Sequence, residues 1–320
     1  MRTRIIDSSL CRMDFSAHAD KDSVEQYAAA LFSSGVDYIE IGRNALPFFQ
    51  ETNTSSHYIY RIESGADMKL MGAKDFAFVV LPFELLYFAP FTKHSVILEI
   101  NIDGKEIYED LNKINSRFEM NFVSMIRFVG DFSDRMSEMQ AFTKVLKRKT
   151  PFSVDICPLD TTLSGTDAAM TAFKAKTDAI TLSLCSDGVY TGLEKFLITA
   201  AFMHKSNIHP SFMMGLCLAV LCLTNVSASP FDAMIKVNEI IGLASDYTIN
   251  IDTPKNNERL FKLDLDRQNE KPSFDDKFFE ALQIDDSEFR DELKKAVETS
   301  RMNLFKPEQK QNNNRRKKLQ

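Results

Sequence analysis

Asp155 and Cys157 stand two residues apart in the apolar run FSVDIC, so on an extended strand their side chains share one face. A carboxylate and a thiolate both bind metals as anions, and with Asp14 they make a candidate site for a divalent ion, Mg, Mn or Zn. Glu40, Glu99 and Asp187 are further oxygen donors near inferred strand ends. The competing reading makes Cys157 and Cys185 small core residues and the acids solvated or ion-paired. Arg12, Arg43, Arg61 and Arg127 also fall at or near inferred strand ends. Several guanidinium groups gathered there favour a carboxylate or phosphate ligand with no metal involved. Pairing inside the protein with Asp7, Glu40, Glu63 and Glu99 is the alternative. No Ser-His-Asp order, phosphate loop or His-Glu-x-x-His is present.

The elements that must carry these residues follow from hydrophobic period. Short apolar runs at Arg4–Leu10, Tyr38–Gly42, Tyr58–Glu63, Phe76–Leu81, Val96–Ile102, Val123–Gly130, Phe152–Cys157 and Ala179–Cys185 predict eight strands. Helical stretches lie between them at Lys21–Ser34, Glu106–Phe118, Asp134–Lys149, Leu163–Ala175 and Tyr190–His204. In the first, Asp22 and Glu25 resemble a capping box, Val24, Tyr27, Ala28 and Leu31 form one face, and Gly35 marks the end. Eight strands alternating with helices predict an α/β fold, a closed (β/α)8 TIM barrel, whose site gathers at the carboxyl ends of the strands. The connections between Arg61 and Ser95 are too short for ordinary helices, which leaves a doubly wound open sheet as the alternative. No Gly-x-Gly-x-x-Gly follows a strand, so a dinucleotide-binding version of that sheet lacks support.

The chain of 320 residues is 44% hydrophobic and 26% charged, enough for a large core and too apolar for global disorder. Its net charge of −6 gives no reason to expect nucleic acid as a main partner. The five cysteines are scattered without Cys-x-x-Cys, against a disulfide framework or zinc ribbon. The start, MRTRIIDSSL, shows no signal-peptide hydrophobic region, and the reading is a cytoplasmic chain. Phe212–Leu223 is apolar but short of the roughly 20 residues of a membrane span, so it is predicted as a buried helix. The expected organisation is a barrel over 1–204 and a helical extension over 205–270. Peripheral amphipathic helices over 271–306 and a disordered basic tail over 307–320 complete it. The apolar helices of 205–245 need a partner, and a homo-oligomer is one source of it.

Three stretches resemble, in order and spacing, the superfamily of metal-dependent barrel lyases and synthases that includes hydroxymethylglutaryl-CoA (HMG-CoA) lyase, isopropylmalate and homocitrate synthases and 4-hydroxy-2-oxovalerate aldolase. They are RIIDSSLCRMDF with SSGVDYIEIGRN, then FVSMIRFVGDFSDRMSEMQAFTKVLKRKTPFSVDICPLD, then DAITLSLCSDGVYTGLEKFL. Asp7, Leu10, Glu40, Gly42 and Gly130 match the superfamily pattern, and Ser9 replaces a threonine. Cys11, Arg12 and Met13 stand at the positions of the arginine, the metal-binding aspartate and the glycine. A slip of one or two residues gives those roles to Arg12 and Asp14. Arg127 falls where an aspartate is expected, and Asp155 and Cys157 map onto two histidine ligands. The asparagine of the last loop has no counterpart near Gly192.

The resemblance implies a carbon–carbon lyase or acyl-CoA condensing enzyme of aldolase or synthase type, acting on a small 2-oxo or hydroxy acid. A divalent metal and acetyl-CoA as co-substrate come with it. Arg12, Glu40 and Arg127 are then the expected catalytic residues, and Asp7, Arg43, Arg61, Glu99 and Asp187 the expected substrate contacts. Asp14, Asp155 and Cys157 are the expected ligands of a rebuilt metal site. The substitutions equally suit a pseudoenzyme, a barrel that binds a small carboxylate or a partner protein as scaffold or regulator.

Overall fold

A computed structural model of the chain describes residues 2–49, 56–71, 74–102, 118–184, 189–203, 210–229 and 232–250. All of these lie within the compact unit Met1–Gln268. Eight strands form a closed barrel in sequence order: β1 (Arg4–Asp7), β2 (Tyr38–Ile41), β3 (Tyr58–Arg61), β4 (Phe78–Pro82), β5 (Val96–Asn101), β6 (Val123–Gly130), β7 (Ser153–Pro158) and β8 (Ala179–Leu182). Every pairing is parallel, and β8 closes on β1 through Arg4↔Ala179 to Asp7↔Leu182. The open-sheet alternative is thereby excluded.

The helices are α1 (Lys21–Ser33), α2 (Gly65–Met71), α3 (Met136–Lys149), α4 (Gly165–Lys174), α5 (Leu193–Met203), α6 (Pro210–Val226) and α7 (Ala233–Asn250). The short connections expected between Arg61 and Ser95 are the seven-residue α2 and a 3-10 segment, Phe83–Phe91. The helix predicted at Glu106–Phe118 lies outside the described residues up to 117, and Phe118 opens another 3-10 segment, Phe118–Phe122. The expected elements of 251–320, and Asp187 and Cys185, also lie outside them.

Two local details differ from expectation. The cap of α1 is Asp20, whose carboxylate accepts the Ser23 N–H at 2.7 Å, and not Asp22 with Glu25. Asp20 takes the role because it directly precedes the first helical residue, Lys21, whereas Asp22 lies inside the first turn. The first strand stops at Asp7 instead of Leu10, and Ser9–Arg12 turns into a single helical turn. The cause is local: the Asp7 side chain accepts both the N–H and the hydroxyl of Ser9, which bends the backbone away from the ladder.

Alternation along the strands stacks two layers inside the barrel. The lower one is apolar: Ile6, Ile59, Val80, Ile97, Met125 and Ala179, with Tyr38 and Phe78 against it. Two residues further along the same strands come Ser8, Arg61, Pro82, Glu99, Arg127 and Thr181, joined by Glu40 from β2 and Asp155 from β7. The barrel therefore changes from hydrocarbon to a charged layer within one step of two residues.

The apolar Phe212–Leu223 segment is helical, as predicted, inside α6. It packs on α1, where a Cβ at Gly215 would lie 2.4 Å from the hydroxyls of Ser33 and Ser34. Leu216, Ala219 and Val220 are fully buried within the chain, so α1 and α7 supply the partner for which an oligomer was one candidate. Among the described residues no helix is long and apolar enough to cross a membrane.

Candidate functional site

The charged layer is organised around Arg127, whose side chain has no solvent exposure. Its Nη1 donates to Glu40 Oε2 at 2.5 Å and reaches Glu99 Oε2 at 3.4 Å, while its Nε donates to Asp155 Oδ2 at 2.6 Å. Thr181 donates its hydroxyl to the same Asp155 oxygen at 2.8 Å. Arg61 closes the other side as a two-pronged donor to Glu99, at 2.5 and 2.8 Å, with Glu40 Oε1 at 3.3 Å. The β-sheet register explains the cluster, because Glu99, Arg127 and Asp155 are successive partners across β5, β6 and β7.

Burial alone would raise the Glu40 carboxyl, but Arg127, Arg61 and Arg12 together hold it down at about 2. Burial likewise opposes the charge on Arg127 and Arg61, and their carboxylate neighbours outweigh it, so both guanidinium groups stay protonated. At Asp155 burial prevails over Arg127 and Thr181, and its carboxyl sits above the usual range. Two atoms of the layer have no hydrogen-bond partner although buried, Arg127 Nη2 and Asp155 Oδ1.

Above this layer lies the Ser9–Arg12 turn. Arg12 donates its Nε to Ser8 Oγ at 3.0 Å, places Nη2 3.8 Å from Cys157 Sγ, and lays its guanidinium 3.7 Å over the Tyr190 ring. Among the described residues no carboxylate comes within ion-pairing distance of it. Gly42 permits the approach of the turn to β2, since a Cβ there would meet the Cys11 carbonyl oxygen at 3.1 Å. Burial pushes the Cys157 thiol up to about 11, against the pull of Arg12 and Arg127, and raises that of Cys11 too. Neither is a thiolate at neutral pH.

No protein-family model matches the chain. The omega subunit of homocitrate synthase from Clostridium pasteurianum is 26% identical over 196 residues, 56% of this chain. The chain spans about half the length of that curated relative, 53%. Among solved structures, HMG-CoA lyase from Bacillus subtilis superposes with a TM-score of 0.54 at 10% identity over 70% of this chain and 93% of that one. The amino-terminal domain of a putative aldolase from Bacteroides vulgatus gives 0.53 at 15% identity over 78% and 99%. HMG-CoA lyase from Acinetobacter baumannii, solved with coenzyme A and 3-methylmalate, gives 0.53 at 11% over 71% and 93%. The chain is thus similar over 196 residues to a homocitrate synthase subunit and shares its barrel fold with HMG-CoA lyases.

Measured against the metallolyase pattern, the structure gathers some expected residues and separates others. Arg12, Glu40, Arg61, Glu99, Arg127, Asp155 and Cys157 converge in the charged layer and just above it. Asp7 does not join them. It is buried on the outer side of β1, where it accepts from Ser9, Tyr27 and the Leu184 N–H. Arg43 turns away to Asp67 at 2.7 Å and to Ser64, tying its loop to α2. Asp14 is exposed, and its carbonyl receives the Ala228 N–H beside the Phe15–Ser227 bridge. Ser8, Thr181 and Tyr190 were not anticipated. The first two were findable, because they lie two residues beyond Ile6 and Ala179 on the inward face. Tyr190 was expected to open a helix, but that helix starts at Leu193 and Tyr190 instead pairs with Leu159 in an isolated bridge.

A divalent metal does not fit this donor set. Asp155 Oδ2 is held by Arg127 and Thr181, Glu40 and Glu99 by two guanidinium groups, and Cys157 is a thiol beside Arg12. Among the described residues no three His, Cys, Asp or Glu side chains form a group able to hold a metal. Asp14, Asp155 and Cys157 therefore do not make the rebuilt centre expected from the sequence: the first is at the surface, and the second is neutralised within the protein.

Proposed function

We propose that this barrel binds a small 2-oxo or hydroxy acid at the carboxyl ends of its strands, with Arg12 as receptor for the carboxylate and carbon–carbon lyase or acyl-CoA condensing chemistry as its activity. One observation carries the reading: Arg12 is a guanidinium at the barrel mouth whose direct contacts are a hydroxyl, a thiol and an aromatic ring, all neutral, while Glu40 acts on it only through space. An arginine fixed by neutral groups keeps its charge available to an anion, and its planar fork suits a carboxylate. The Tyr190 ring holds it in place by a cation–π contact. In a lyase or condensing reaction the same cation, with the Arg127 layer beneath, would stabilise negative charge developing on an enolate oxygen. Homocitrate synthase in the sequence comparison, and 3-methylmalate with coenzyme A in a lyase of the same fold, support this class of ligand and acetyl-CoA as its co-substrate.

A second reading is binding without turnover, a pseudoenzyme acting as scaffold or regulator. It is favoured by the state of the proton carriers around Arg12. Glu40 is held as a carboxylate by three arginines, and Cys11 and Cys157 are held as thiols. None of the three exchanges a proton readily near neutral pH.

Calorimetric titration of short-chain 2-oxo and hydroxy acids in EDTA, on the wild type and Arg12→Gln, tests the binding step. The expected result is saturable binding lost in the variant, and equal affinity in both proteins would refute the role of Arg12. Release of free coenzyme A from acetyl-CoA with the acid that binds reports condensation, consumption of that acid without acetyl-CoA reports cleavage, and neither marks a binder.

A further inference from the structure

The misfit between the metal and its donors has a positive counterpart in Arg127. We infer that the Arg127 guanidinium is the resident cation of this barrel, a built-in replacement for the divalent ion of the metallolyases. This inference does not depend on whether Arg12 receives a carboxylate.

The charges of the layer support it. Glu40, Glu99 and Asp155 contribute three negative charges, and Arg127 touches all three carboxylates, which come from three different strands. A divalent ion in a barrel is held in the same manner, by anionic oxygens converging from separate strand ends. Arg61 takes part in two of the three contacts but reaches neither Asp155 nor Thr181, so it supports the centre without occupying it. Arg127 comes from β6, at the position where the superfamily pattern has an aspartate, and Asp155 stands where that pattern has a metal-binding histidine. The two departures fit each other: a cationic side chain arrives, and a neutral ligand becomes an anion to receive it.

The geometry also leaves this cation something to offer. Arg127 Nη2 is a buried donor with no partner, and Asp155 Oδ1 is a buried acceptor with none. Buried polar atoms in this condition call for an explanation, either an ordered water or a ligand oxygen. One donor of the guanidinium and one carboxylate oxygen thus remain to be satisfied once the metal's place is filled by side chain.

The test uses the full chain, prepared in chelator and titrated with cobalt and manganese ions. Stoichiometry is read by equilibrium dialysis, thiolate ligation by the cobalt absorption spectrum, and stability by melting. Wild type is expected to take no stoichiometric ion and to melt at the same temperature with metal as with EDTA. Arg127→Gln frees Asp155 and the Oε2 of Glu40, with Glu99 still paired to Arg61, and it should gain one ion per chain and a metal-dependent rise of a few degrees in melting temperature. Adding Asp155→Asn to that variant should abolish the gain. Arg127→Lys keeps the charge and should remain without metal.

One tightly bound ion in the wild type, lost on Asp155→Asn or Cys157→Ala, would overturn the inference. So would a folded Arg127→Gln that gains nothing. Should Arg127→Gln fold neither with metal nor without it, the wild type and Arg127→Lys decide, and a bound ion in either refutes the proposal. Loss of carboxylate binding on Arg12→Gln reports on the proposed function alone, so the two failures are distinguishable.

Discussion

Arg127 and Asp155 are register partners on β6 and β7, and their side chains meet at 2.6 Å inside the barrel with no exposure to solvent. A pair of this kind does more to fix one arrangement of strands than to stabilise it, because both charges have been taken from water. Breaking it from one side is another matter. Arg127→Met leaves Asp155 and Glu40 buried with reduced compensation and should cost about 3–5 kcal/mol in urea unfolding. Asp155→Leu alone should be comparably damaging. The double variant is expected to lose less than the sum, since neither partner is then left uncompensated. Strict additivity of the two changes would show that the pair is not coupled.

Arg12 makes the opposite prediction, large for binding and small for folding. Its contacts are one hydrogen bond to a hydroxyl, a distant thiol and the face of Tyr190. Arg12→Gln should reduce affinity for small carboxylates by roughly 10- to 100-fold, the loss of a charge-assisted contact. Tyr190→Leu frees the guanidinium to move and should weaken binding less, by about 0.5–2 kcal/mol. Melting temperatures of both variants check that the fold is kept. A Tyr190→Leu protein that binds as tightly as wild type would remove the ring from the argument.

The barrel was legible because its signal is periodic: eight apolar runs between helical stretches, each close in place to an observed strand, including the cramped interval around α2. The charged layer was half legible. Placing Arg61, Glu99, Arg127 and Asp155 near strand ends followed from the same period, but whether the arginines faced a ligand or one another needed the register that sets Glu99, Arg127 and Asp155 side by side. Both readings turned out to apply to different residues: Arg61 and Arg127 are paired within the protein, whereas Arg12 is not. Asp7 matches a superfamily position, but alternation with the inward Ile6 turns its side chain to the outer face, where Ser9 and Tyr27 bind it. Asp14 failed for another reason, since the bridge from Phe15 to Ser227 carries that part of the chain out toward the α6–α7 connection.

Asp7 gives a pH prediction with a definite sign. Burial raises its carboxyl from 3.8 to about 6, against the pull of Ser9, Leu184 and Tyr27. The folded protein then holds a proton that the unfolded chain has released, so stability falls as pH rises through that window and levels off above about 6. The shift corresponds to about 3 kcal/mol, an upper value given the four hydrogen bonds that favour the anion. Glu40 acts in the other direction: its contribution is present above 4.5 and is lost as pH falls toward 2. Urea unfolding at about pH 5 and about pH 7 spans this window, in which burial lowers His94 and works in the opposite direction while Asp155, also raised, works in the same one. The Asp7 share is therefore read as the difference between wild type and Asp7→Asn. Wild type should be the more stable at the lower pH, and Asp7→Asn should lose that difference. An unchanged slope in the variant would assign the effect to another group.

Two helical glycines, finally, should respond to alanine with opposite signs, although helix propensity treats them alike. Alanine favours a helix interior over glycine by about 1 kcal/mol wherever space allows. At Gly242 in α7 nothing lies within 4 Å of the added Cβ, so Gly242→Ala should stabilise by up to about that amount. At Gly215 in α6 the Cβ would lie 2.4 Å from Ser33 Oγ and Ser34 Oγ and 2.7 Å from the Ala30 carbonyl oxygen. Both hydroxyls already donate to that carbonyl, and the backbone of α1 cannot retreat without disturbing the barrel wall behind Tyr27 and Leu31. Gly215→Ala should therefore cost about 1–3 kcal/mol by overpacking, despite its gain in propensity. Melting the two variants side by side measures how closely α6 sits on α1. Stabilisation by Gly215→Ala would mean that the helices stand further apart than this packing requires.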